Sequence, residues 1–288
     1  MDWIRQCLVN NRIQSTAMLS MLLFILFFDS AVKVVIGKNV DFGGVSPDGV
    51  GLEGNHNVDI KQYPYHVSMV DVRNDFILHF CGGSILSPDY VLTAALCLTY
   101  MKEIDDPKFF KIRAGSSFYN KSGTVYDILS YVWHPQFNME TILENNVGII
   151  KTEKMAINGV TTKAVQLPSG GSAMKPGSTV IITGFGVTNS EDFYTKFNVL
   201  QAVSATTISS QECKELTNVT VTDKSFCADS LGVGELGGPV VEKSSLVQYG
   251  IRLVSQYYIN IHGTKIAGSE IHLFVPKLLD WIKQQAGL

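Results

Sequence analysis

From about Ile60 onward the chain is written in short apolar or alternating runs, each cut off by Gly, Pro, Asn or Ser. The runs Tyr65–Val70, Tyr90–Thr93, Lys111–Ala114, Val147–Lys151, Thr179–Thr183 and Gly250–Ser255 are rich in Val, Ile, Thr and Tyr. β-branched and aromatic side chains pack well on a pleated, half-buried surface, so these runs read as strands. Many short strands with frequent turn signals predict an all-β barrel or sandwich. One segment breaks the rule. Pro276 to Gln285 places Leu278, Leu279, Trp281 and Ile282 on one helical stripe behind a proline, which predicts a C-terminal α-helix.

Composition narrows the class. With 288 residues, 45% apolar and 17% charged, the chain has material for a sizeable core and is neither disordered nor fibrous. The 23 basic and 26 acidic residues are spread out, and the net charge is −3. Without a Lys/Arg block, nucleic acid is a poor candidate for the main partner. No H-E-x-x-H or paired C-x-x-C pattern offers metal ligands, and no cofactor motif stands out.

Residues Ala17 to Phe28 form an apolar run broken only by Ser20, preceded by Arg5 and Arg12 and followed by Asp29-Ser30-Ala31. This is short of the roughly 20 residues a membrane span requires. It has the layout of a signal peptide over residues 1–31, with Met1 or Met18 as the start, and it predicts a secreted, extracellular protein without a membrane partner. Residues 32–50 read as a propeptide-like linker. The sequons at Asn120 and Asn218 fit secretion. Cys7 would leave with the signal, and Cys81, Cys97, Cys213 and Cys227 remain, an even number in an oxidising compartment.

Seven strings then occur in a fixed order: His79-Phe-Cys-Gly-Gly-Ser-Ile-Leu86, Val91-Leu-Thr-Ala-Ala-Leu-Cys97, Trp133-His-Pro135, Asn145-Asn-Val-Gly-Ile-Ile-Lys151, Gly184-Phe-Gly186, Gly234-Glu-Leu-Gly-Gly-Pro239 and Leu279-Asp-Trp-Ile282. Over residues 51–288 this resembles the chymotrypsin/trypsin-like serine proteases. The stretches Thr162–Pro168 and Glu212–Leu216 look most like the trypsins of mites, the group 3 allergens, and the scabies mite inactivated paralogues of these. The resemblance implies two packed six-stranded Greek-key β-barrels with a C-terminal helix. It also implies disulfides Cys81–Cys97 and Cys213–Cys227, whose separations of 16 and 14 match two of the family's bridges.

The same resemblance marks where the family's catalytic triad would stand, and each position departs from it. Where the family writes T-A-A-H-C the chain has Thr93-Ala94-Ala95-Leu96-Cys97. Where it writes N-D-I-A-L the chain has Asn145-Asn146-Val147-Gly148-Ile149. Where it writes G-D-S-G-G-P the chain has Gly234-Glu235-Leu236-Gly237-Gly238-Pro239. Leu96, Asn146 and Leu236 offer no base, no orienting carboxylate and no nucleophile of the kind the triad needs. Backbone N–H groups of Gly234 and Leu236 remain at the oxyanion position. The activation stretch Val50–Gly54 has no basic residue at its cut. Ser230, Gln256, Tyr257 and Glu270 mark an altered substrate cleft. Glu235, beside the absent nucleophile, is expected to pair with His79 and Ser68 as in a protease precursor; the alternative is a loop in which Glu235 meets solvent. His56, His66, His134, His262 and His272 read as structural or surface residues. Leu96 and Leu236 are expected to dry the former cleft.

The function implied is a secreted protease homologue without catalysis that acts by binding a protein partner: a protease, an inhibitor or a component of a cascade such as host complement. The competing readings are a structural or storage protein without a specific partner, and a very weak hydrolase.

Overall fold

The computed structural model describes residues 56–73, 76–103, 107–186, 198–217, 219–230, 234–259 and 266–288. The segments read as a signal peptide, a linker and an activation stretch lie outside them, as do Asn218 and His262. Six antiparallel strands close the first barrel: β2 (His66–Arg73), β3 (Phe76–Ser87), β4 (Tyr90–Thr93), β5 (Phe110–Ala114), β6 (Thr124–Trp133) and β7 (Gly148–Thr152), in the order β2-β3-β4-β7-β6-β5. Six more close the second: β8 (Thr179–Gly184), β9 (Gln201–Ile208), β10 (Ser225–Ala228), β11 (Pro239–Glu242), β12 (Gln248–Ile259) and β13 (Ile266–Phe274). Here β8 pairs with both β9 and β11, which shuts the ring, and the two-residue β1 (His56–Asn57) adds to the end of β9. Among the described residues the α-helices are α1 (Ala95–Glu103), α2 (Ser210–Thr217) and α3 (Leu279–Ala286).

Closure explains why the strand runs are short and apolar. A closed sheet has no edge to protect, and its interior is filled by alternate side chains. Met69, Ile85, Leu92, Ile112 and Ile149 are fully buried in the elements of the first barrel. In the second, Val180, Ile182, Val203, Ala205, Ala228 and Val240 form one cluster. Burying a side chain such as Ile182 stabilises by about 1.5–3 kcal/mol. Strand β2 departs from simple alternation: His66 to Asp71 are all buried. One face of it fills the barrel, and the other, carrying His66 and Ser68, is covered as well.

The C-terminal helix differs slightly from expectation. Pro276 lies in a 3-10 turn, Val275–Lys277, and α3 begins at Leu279. It buries Leu279, Ile282 and Ala286 and ends at Gly287, whose φ of 65° lets its N–H reach Lys283 O.

By internal packing the chain divides into Val50–Thr99 with Lys108–Leu288, which holds both barrels, and Met1–Gly49 with Tyr100–Pro107. Of the second unit the described part is Tyr100–Glu103, in α1, and Pro107.

The turn Gly234–Pro239 leaves the second barrel and docks on the first. Gly82 N donates to Leu236 O at 2.9 Å, and Gly237 N donates to Arg252 O at 2.9 Å. Gly237 has φ of 82°, and a Cβ there would lie 2.6 Å from Gly82 O and closer still to Thr93 Oγ1. Gly177 has φ of 87° but open space around it. The two separate strain from collision. We expect G177A to lose about 1 kcal/mol, the cost of the left-handed backbone alone, and G237A to lose about 3 kcal/mol or more. Urea denaturation midpoints of the two variants check this.

Candidate functional site

The sequence-marked positions are carried by three separate elements. Leu96 stands in the first turn of α1, Asn146 just before β7, and Leu236 in the inter-barrel turn. Leu96 is 6% and Leu236 8% exposed. Asn146 Oδ1 accepts from Leu96 N at 2.9 Å, and Asn146 Nδ2 donates to Ile142 O at 2.9 Å. Leu236 O lies 3.7 Å from Cys97 Sγ, one residue past Leu96. The fold therefore convenes the three positions in one place. Both ends of the Asn146 amide are spent on backbone, and a carboxylate could serve only one of them. Cys81 and Cys97 are bonded, which clamps the base of α1 to β3, and Cys213 and Cys227 are bonded between α2 and β10.

Beside Leu236 lies a buried ionisable network. On the β2–β3 ladder Ser68 lies opposite Gly82 and His79 opposite Val70, and across the register shift between them Ser68 Oγ is 2.5 Å from His79 Nδ1. His79 Nε2 is 2.5 Å from Glu235 Oε2, which also accepts from Phe185 N at 2.8 Å. The other carboxylate oxygen, Oε1, is 3.0 Å from His66 Nε2. That is ion-pair range, although out of line for a hydrogen bond. His66 Nδ1 is 3.0 Å from Thr183 Oγ1 on the second barrel. Glu235 is 6% exposed, so the alternative in which it meets solvent is not what the structure shows. Phe185 packs edge-on against both imidazoles, at 5.8 Å from His66 and 5.2 Å from His79, and Tyr119 adds a ring at 5.6 Å from His79.

Burial by itself drives the Glu235 carboxyl up, because the charged form loses its water. The charge of His79 and the contacts from His66 and His79 more than reverse this, and the carboxyl ends well below the usual carboxylate range. Glu235 is thus an anion at neutral pH, hydrogen-bonded through Oε2 and within ion-pair range of His66 through Oε1.

His66 was read in the sequence as structural, and its place on Glu235 is the residue that reading missed. The signal was available: His66 and Ser68 are two apart in a strand and must share a face. Arg252 was also missed. It is a lone charge in the apolar run Gly250-Ile-Arg-Leu-Val254, and it bonds the turn from both backbone atoms, its N to Gly238 O and its O to Gly237 N. Its side chain reaches Glu270, Nη2 to Oε1 at 3.5 Å. A register shift between Arg252 and Val254 places Ser255 opposite Glu270, while Gln256 and Tyr257 lie opposite Ser269 and Gly268. The side chains of Gln256 and Tyr257 lie outside the described residues. Ser230 and Gly234 are buried, and Asn120 is exposed. No cluster of His, Cys, Asp and Glu is placed to hold a metal ion among the described residues. No helix among them is long and apolar enough to cross a membrane.

The Trypsin family model matches residues 52–282. Two closed six-stranded barrels and seven motif strings in order agree with that match, and the chain belongs to the trypsin family. It is 28% identical to a trypsin of Phaedon cochleariae over 81% of this chain and 87% of that protein. It is 30% identical to the trypsin Blo t 3 of Blomia tropicalis over 69% of this chain and 75% of that protein. The crystal structure of scabies mite inactivated protease paralogue S-D1 superposes with a TM-score of 0.66 at 26% identity, covering 81% of this chain and 97% of that one.

Two outcomes follow for stability. E235Q removes an anion that both imidazoles face, and we expect a loss of about 3 kcal/mol or more at neutral pH. Because the folded carboxyl sits below its unfolded value of about 4.3, its contribution is complete above that pH and is lost as pH falls through the folded value. The native chain should therefore weaken below about pH 4 more steeply than E235Q, as read by denaturation midpoints across pH. N146D deprives Ile142 O of its donor and sets a carboxylate against it. A loss of about 1–3 kcal/mol is expected, and the thermal midpoint at pH 7 reads it.

Proposed function

We propose that the chain is a secreted serine protease homologue that has exchanged catalysis for protein binding. The observation that carries this reading is the convergence of Leu96, Asn146 and Leu236 where the family's triad would act. An aliphatic side chain neither attacks a carbonyl nor takes a proton. Loss of a whole triad in a protease costs about 10⁶ in turnover, and the residual rate depends on substrate being held in the cleft. The Glu235 network supports the same reading from another side. A buried carboxylate already facing two imidazoles and a backbone N–H would have to leave those partners to meet the new terminal ammonium that proteolytic activation would create. Likeness to a protein described as an inactivated protease paralogue agrees. A hydrolase reading, which the names of the trypsin relatives favour, is the weaker one because no nucleophile–base pair can be named.

Secretion is supported by the apolar N-terminal run, the two disulfides and the sequons. The partner we propose is a protein of a proteolytic system: a protease, a protease inhibitor or a complement component, contacted through loops on a rigid two-barrel scaffold.

A fluorophosphonate probe for serine hydrolases should leave the native chain unlabelled. L96H/N146D/L236S should recover little labelling, because the turn stays locked through Glu235. Strong labelling of the native chain would end the non-catalytic reading. For binding, the immobilised chain should retain a protease-cascade protein from plasma that an active trypsin scaffold does not. Retention no greater than that of the control scaffold would favour the structural alternative.

A further inference from the structure

The loop Gly115–Gly123 closes the hairpin between β5 and β6, with Ala114 opposite Thr124. It carries the sequon Asn120-Lys121-Ser122, whose Asn stands two residues after Phe118. The backbone around the sequon is held from within. Ser116 Oγ accepts from Phe118 N at 2.9 Å and donates to Lys121 O at 2.7 Å, and the buried Arg113 donates from Nη1 to Ser122 O. Ser117 accepts from Ile60 N through its Oγ at 2.9 Å and from Leu200 N through its carbonyl at 2.8 Å. Phe118 bridges Val199, and the Tyr119 ring lies 5.6 Å from His79. Asn120, Lys121 and Ser122 are nevertheless all exposed. Two carbonyls of the sequon are thus tied inward while its residues meet solvent, so a bulky group on the Asn120 amide can be carried without opening the core. Phe118 is half-buried, and the Lys121 ammonium stands over its ring, 4.3 Å from the centroid. The ring therefore has an open face, and a cation–π contact at an exposed site is weak enough to be exchanged.

We propose that Asn120 is N-glycosylated in the secreted protein and that the first N-acetylglucosamine packs on the Phe118 ring in place of the Lys121 ammonium. Such modification rests on the secretion proposed above and is independent of whether the chain catalyses. The donor is a lipid-linked oligosaccharide diphosphate. Asn120 Nδ2 forms a bond to C1 of the sugar, the bond from C1 to the diphosphate oxygen breaks, and one amide proton leaves with the released diphosphate. A β-linked sugar carries its axial C–H groups on one face, and their partial positive charge matches the negative face of an aromatic ring. The loop that holds Phe118 also joins Ile60 to Leu200, so the packed sugar braces that junction.

The full chain from Met1, produced in insect cells, is the sample. Peptide mass spectrometry of the chain in the medium should find a glycan on Asn120, and N120Q and S122A should each lose the mass of one glycan. A chain in the medium with Asn120 unmodified would overturn the proposal and leave secretion standing; a chain kept in the cytosol without sugar would overturn both. After an endoglycosidase has trimmed every glycan to its first sugar, the native chain should melt about 2 °C or more above N120Q, and F118A should melt no higher than F118A/N120Q. No gain in the native background, or the same gain in both, would overturn the proposal. If F118A is not secreted, spectra of the carbon-13-labelled first sugar decide. Its axial protons should be shifted upfield by the ring in the folded chain relative to the same glycopeptide after proteolysis, and unshifted protons would refute the packing.

Discussion

A carboxylate taken out of water must find a cation or give up its charge, and Glu235 finds two imidazoles. Glu235 belongs to the second barrel's turn, while His66 and His79 belong to β2 and β3 of the first. The interaction joins the barrels and sets the path of the Gly234–Pro239 turn. With the carboxylate held, Leu236 O is delivered to Gly82 N, and Gly237 must take a left-handed conformation against Thr93 and Gly82. Phe185 and Tyr119 exclude water from the same volume, which strengthens the charge interaction.

Two further polar side chains near this turn are engaged within the chain. The Asn146 amide is divided between Leu96 N and Ile142 O. Glu270 is neutralised by a residue of its own sheet. Catalytic sites keep donors, acceptors and empty space in reserve, and this tends to trade stability for function. Here the Asn146 amide and the Glu270 carboxylate both have partners within the chain.

Much of the architecture was legible in the residues. The six strand runs read from alternation correspond to β2, β4, β5, β7, β8 and part of β12. The ordered strings carried the rest of the fold and both disulfides through resemblance. Residues Thr124–Trp133 lack clean alternation because much of β6 stays exposed, with Leu129 at 59%, so periodicity passed over this strand. Helix α1 hides in an apolar stretch, Ala95-Leu-Cys-Leu-Thr-Tyr-Met101, that periodicity cannot tell from a strand. The pairing of Ser68, His79 and Glu235 was expected from the family's pattern, and its geometry is now explicit.

What the chain determined alone was local: which runs extend, which glycines permit a turn, and that Leu96, Asn146 and Leu236 bear no proton-transfer chemistry of the triad kind. These follow from side-chain type and period, and they need no partner. The tertiary structure alone decided that His66 shares the carboxylate of Glu235 and that Arg252 rather than solvent neutralises Glu270. Those contacts join residues far apart in the chain, 169 positions in the first case and 18 across a bulged hairpin in the second. The charge state of a buried group depends on which partners reach it, and only the closing of both barrels brings them there.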